Sequence, residues 1–178
     1  HYAVVIGYDL NRGEIFLRSG REQRQVLPVS TFERAWARGD NWAMVVMLTG
    51  KIPQSAEEHS FVSAVSAVEK IGHEARVRDS YAAALQRWPT NFRALMGLGN
   101  TAYRMQDFTQ AEVALRQALK DHPESVAALN NLAQVLADLG RDDEALILAR
   151  RAVDLGGPLN ATAQETLSDI KRRIATPK

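Results

Sequence analysis

The sequence predicts a mainly α fold: an α-solenoid of three helix-turn-helix units closed by a capping helix and preceded by a small α+β piece. Three observations carry this prediction. A 34-residue period runs through the chain after residue 58, kept by Ala84, Ala118 and Ala152, by Val77, Ala111 and Ala145, and by Pro89 and Pro123. Each period holds two segments with helical spacing of apolar residues, which is the pattern of a stacked two-helix repeat. The first fifty residues lack the period and instead alternate β-branched runs with turn residues.

Composition bounds the function before any motif is read. With 46% hydrophobic and 24% charged residues among 178, the chain has the make-up of an ordinary globular protein. Twenty-two Lys and Arg balance twenty-one Asp and Glu, and no basic block stands out, which argues against non-specific nucleic-acid or anionic-membrane binding as the main function, and no nucleic-acid partner is expected. There is no cysteine, which removes disulfides, cysteine-ligated zinc and a thiol nucleophile within these residues. No cofactor or metal is expected. The longest strongly apolar run, Trp42 to Leu48, is too short for a membrane span.

Residues 1–50 come first. HYAVVIGYD, the turn Asn11-Arg12-Gly13 and GEIFLRS read as a β-hairpin with both strands largely buried. Arg18, Arg21, Glu22 and Arg24 read as a solvated charged loop. After Pro28, residues 30–38 read as a short helix, with Ser30 and Glu33 as a capping box and Gly39 as its stop. Trp42 to Leu48 reads as a further buried strand. The chain opens on His1 rather than Met, inside a strand-like run, so a fragment or processed product is expected.

The order of these elements resembles the C-terminal part of bacterial papain-like cysteine peptidases of the type that processes double-glycine leaders. The residues that carry the resemblance are His1 to Tyr8, Ile15 to Gly20, the helix with Phe32 and Trp36, and the run after Trp42. It implies that His1 is the general base for a cysteine in a preceding half, with its imidazole oriented by a group at the end of the next strand. Ser19 stands at that place, where the family usually has Asp followed by Pro. A serine accepts a hydrogen bond from imidazole but does not stabilise imidazolium as a carboxylate does. His1 is also readable as a chain boundary, and Ser19 as an ordinary turn residue. An exported or periplasmic bacterial setting is implied by the resemblance alone.

Residues 51–57, with Pro53 and small polar neighbours, read as a linker. The repeats then follow as 58–91, 92–125 and 126–159, with a capping helix and tail over 160–178. This part resembles a tetratricopeptide repeat array. Leu98-Gly99 and Leu132-Ala133 place a large residue beside a tiny one, so that the partner helix can approach, and Ala111 and Ala145 answer from that helix. Val65 and Val77 stand at the matching places of the first repeat and predict looser packing there.

In such arrays the first helix of each unit lines a groove that takes peptides. The matching residues are His59, Val62, Ser66 and Glu69, then Arg93, Met96, Asn100, Tyr103 and Arg104, then Asn130, Gln134 and Asp138. Asn100 and Arg104, one helical turn apart, suit a main-chain amide and a carboxylate. The lysine and asparagine set that clamps C-terminal carboxylates is not reproduced, since Arg93 is followed by Gly97 and Ala127 by Asn131. The favoured reading is therefore a protein or peptide interaction module attached to a truncated peptidase-like domain. Two alternatives stay open: part of a cysteine peptidase whose nucleophile lies upstream of His1, or a pseudopeptidase that binds without cleaving. The oligomeric state is not legible.

Overall fold

The computed structural model describes residues 2–43 and 48–176. Its chain divides into two compact units, His1–Val46 and Met47–Lys178. The first holds an antiparallel sheet of β1 (Val4–Asp9), β2 (Glu14–Ser19) and β3 (Glu22–Pro28) in the order β1-β2-β3, followed by α1 (Val29–Ala37). Two glycines with left-handed backbone, Gly13 at φ 64° and Gly20 at φ 57°, turn the chain between the strands. Gly7 lies opposite Phe16 next to a register irregularity, and a Cβ there would stand 3.2 Å from the Phe16 ring.

Four expectations for this unit are corrected. Only β2 is buried, through Ile15 and Leu17, whereas Val4, Val5, Ile6 and Tyr8 of β1 are exposed. The sheet has one layer, and among the described residues α1 packs only on β2 and β3, which leaves the apolar side chains of β1 exposed. Glu22 and Arg24, expected in a loop, begin β3, and the Arg24 guanidinium stacks 4.5 Å from the centre of the Phe16 ring. Ser30 does not cap α1: the helix starts one residue earlier, after Pro28, with no side-chain cap. Of the run expected as a buried strand, Met44, Val45, Val46 and Met47 lie outside the described residues. Trp42, Ala43 and Leu48 belong to no strand, and Trp42 and Leu48 are exposed.

Among the described residues, the elements of the second unit are all helices: α2 (Glu58–Glu69), α3 (Glu74–Arg87), α4 (Phe92–Arg104), α5 (Phe108–Asp121), α6 (Val126–Asp138), α7 (Asp142–Leu155) and α8 (Asn160–Ala175). The starts follow from capping chemistry. Asn91, Asp107 and Ser125 each accept from a backbone N–H three residues on, at 2.7, 3.0 and 3.3 Å. Pro89 and Pro123 lie just past the ends of α3 and α5, since a proline pushes the residue before it out of helical geometry.

Each helix packs on the next in sequence, and first helices also touch the next first helix: α2 on α4, α4 on α6, α6 on α8. Second helices make no such contact with one another, so the first helices form the inner, tighter row. The alanine stripe of the period is the seam, with Ala84, Ala111, Ala118, Ala145 and Ala152 all at 0% exposure. Gly99 sits under Leu115, whose Cγ would lie 2.8 Å from an added Cβ. In the first repeat Val65 and Val77 fill the corresponding places, and α2 packs less extensively on α3 than the later pairs pack on each other. The array ends on α8, which buries Ala163, Thr166 and Ile170 and turns Lys171 and Arg172 to solvent.

Candidate functional site

The inner row presents two kinds of polar residue. One kind is committed to joining the repeats. Arg104, at the end of α4, meets Glu69 at the end of α2 at 2.8 Å and Glu74 at 3.0 Å. One repeat further on, Asp138 at the end of α6 accepts from the Tyr103 hydroxyl at 2.7 Å and pairs with Arg173 of α8 at 2.7 Å. The Tyr81 hydroxyl donates to Glu69 at 3.0 Å. Burial, reinforced by the facing carboxylates Glu69 and Asp138, pushes the Tyr81 and Tyr103 phenols up to about 12. Burial would raise the Asp138 carboxyl, but hydrogen bonds from Tyr103 and Arg173 outweigh it and hold it below its ordinary value.

The other kind lines an open groove of about 470 Å³ between α4, α6 and α8. Its centre is a row of side-chain amides. Asn131 Nδ2 donates to Asn100 Oδ1 at 2.8 Å, and Asn130 Nδ2 reaches Asn131 Oδ1 at 3.4 Å. Asn130 Oδ1 is buried with no hydrogen-bond partner. Gln134 continues the row and also borders a second hollow of about 360 Å³ with Asp169, Arg172 and Arg173. Glu165 and Asp169 form the α8 wall. An extended peptide carries alternating N–H and C=O groups, and a row of amides, each both donor and acceptor, is the side-chain chemistry that pairs with it.

The expected groove residues therefore separate. Asn100, Asn130 and Gln134 come together in the groove, with Tyr103 and Arg104 on its border. Arg104 is already held by two carboxylates, and Asn100 by Asn131, so the pair is not waiting for an amide and a carboxylate as expected. Glu69 and Asp138 are spent on the repeat junctions. Val62 is corrected outright: at 2% exposure it lies in the core with Val65, Val77 and Tyr81, because α2 turns that face to α3. Ser66 is half-buried on α2. Met96 is half-buried against the core, while His59 and Arg93 are exposed at the starts of α2 and α4. In the first unit, Ser19 ends β2 opposite Glu22, and His1 lies outside the described residues.

Sequence reasoning missed Asn131, Glu165 and Asp169. Asn131 was legible as an amide beside Asn130, but the matching place in the second repeat is Gly97 and hid the pattern. The two acids lie on α8, which the period marks as a cap rather than as a wall of the groove.

Stacked antiparallel helix pairs with one inner row define an α-solenoid of helix-turn-helix repeats. Residues 96–160 match the sequence profile of the tetratricopeptide repeat, and the solenoid has the fold of solved arrays of such repeats. The first TPR of Spaghetti (RPAP3), bound to an HSP90 peptide, superposes with a TM-score of 0.62 at 19% identity, covering 67% of this chain and 94% of that one. MamA superposes with a TM-score of 0.62 at 14% identity over 83% of this chain and 77% of its own. The Yersinia enterocolitica type III secretion chaperone SycD, in complex with a peptide of the translocator YopD, gives 0.61 at 15% identity, covering 68% and 99%. No curated protein matches the sequence. No helix among the described residues is long and apolar enough to cross a membrane.

Proposed function

We propose that the helical unit is a protein-interaction module whose groove between α4, α6 and α8 receives an extended peptide segment of a partner protein. The observation that carries this reading is the row of side-chain amides Asn100, Asn131, Asn130 and Gln134 that lines the groove. Two of the solved arrays of the same fold carry peptides, which supports the same reading.

The test begins with binders selected from random phage-displayed peptides and measured by fluorescence polarisation. Replacing Asn100 and Asn131 together by alanine lowers affinity about tenfold, the worth of one to two net hydrogen bonds. Unchanged affinity in that variant removes the groove from the account.

A second reading concerns residues 1–50, favoured by the exposed apolar side chains of β1, which suit a strand covered by another part of a papain-like domain. In this reading His1 is the general base and Ser19 takes the place of the orienting acid, while the nucleophile is a cysteine outside these residues. An epoxide probe for papain-like cysteines labels the full-length product and loses labelling on His1→Ala if the peptidase is active. Absent labelling in both forms leaves the pseudopeptidase.

A further inference from the structure

We infer that the groove selects a positively charged segment, with a lysine or arginine of the ligand seated at Glu165. The inference rests on the groove reading above and names the chemistry of its occupant. It follows from matching each charge along the inner row to its partner. Arg104 is shared by two carboxylates, Glu69 and Glu74, so that end of the groove carries a surplus negative charge. Arg173 is matched by Asp138, and Arg172 by Asp169 at 2.7 Å. Glu165, exposed on the α8 wall, is in none of the ion pairs among the described residues.

Every arginine bordering the groove is thus already neutralised, and the surplus is acidic at both ends of the amide row. Among the described residues, no uncommitted cation lines the groove to meet an incoming carboxylate. An incoming ammonium or guanidinium would meet Glu165 without breaking an existing pair, while its main chain lies along the amides that line the groove. Like charges brought together are disfavoured and opposite ones speed and tighten association, so ligand charge decides between segments of equal shape.

Two synthetic fluorescent peptides test this: a short, acetylated and amidated chain alternating lysine with valine and serine, and the same chain with glutamate for lysine. Fluorescence polarisation at low salt shows the lysine peptide binding at least about tenfold more tightly, an advantage that shrinks as salt screens the charges. Glu165→Lys reverses the order of the two peptides, and Glu165→Gln brings them closer together. Helical circular dichroism of both variants matches the parent, since the residue is exposed. Equal or tighter binding of the glutamate peptide overturns the inference, as does a Glu165→Lys variant that keeps the lysine preference, or failure of both peptides to bind. The groove reading itself then still stands if phage-selected peptides depend on Asn100 and Asn131, and falls if they do not.

Discussion

At the scale of single residues, the most constrained position is Gly97, whose Cβ, if it had one, would lie within the ring of the fully buried Tyr81. Alanine in a helix interior gains about 1 kcal/mol over glycine. Overpacking a ring that cannot yield costs ~1–3 kcal/mol. Because Tyr81 is enclosed by Val62, Val65 and Val77, overpacking wins, and Gly97→Ala lowers the urea midpoint where a free helical glycine would raise it. Tyr81 is large where the later repeats carry Leu115 and Ala149, and the glycine across from it absorbs that bulk. The period alone could not show this, because Gly97 departs from it. The two buried phenols give a second outcome. Their folded values of about 12 lie above the ordinary 10, so their contribution is complete below pH 10 and is lost as pH rises through about 12. Absorbance titration then shows a late-ionising component that disappears in the double variant Tyr81→Phe, Tyr103→Phe.

Between elements, charge complements the alanine seam. On the outer side, Glu112 of α5 accepts from Arg141 at the start of α7 through both carboxylate oxygens, at 2.7 and 2.8 Å, and Arg116 and Glu144 complete the cluster. Burial would raise the Glu112 carboxyl, but hydrogen bonds from Arg116 and Arg141 outweigh it and hold it below the ordinary value. A lowered carboxyl stabilises the fold above its unfolded value and loses that contribution as pH falls through the folded one, so the cluster weakens under acid. The arginines are partly solvated, so Glu112→Gln costs only about 1 kcal/mol in denaturant titrations, and less in about 1 M salt. The period and the prolines made the paired helices legible. Strand β3 was not legible, because Arg21 to Arg24 is polar on both faces and only Val26 and Leu27 carry a strand signal. The cap of α1 was misread because Pro28 fixes the helix entry and leaves Ser30 inside the first turn.

At the scale of the molecule, the contacts of the solenoid run between neighbouring repeats, and residues 47–178 form one compact unit. That piece, produced alone, is expected to unfold cooperatively with the helical circular dichroism of an array. Removing α8 from it uncovers the α6 and α7 side chains that pack on Ala163 and Ile170 and lowers the melting temperature sharply. The groove was legible in part. The resemblance to tetratricopeptide arrays placed Asn100, Asn130 and Gln134 on the inner row, but it did not foresee that Glu69, Tyr103, Arg104 and Asp138 pair among themselves, since those partners lie a whole repeat apart. The most direct measurement of the central claim is a side-chain amide NMR titration of the protein with a phage-selected peptide. The account predicts that the Asn100, Asn130, Asn131 and Gln134 NH₂ signals shift together and saturate at the affinity found by polarisation. Shifts confined to the outer helices α3, α5 and α7, with these four amides unmoved, would contradict it.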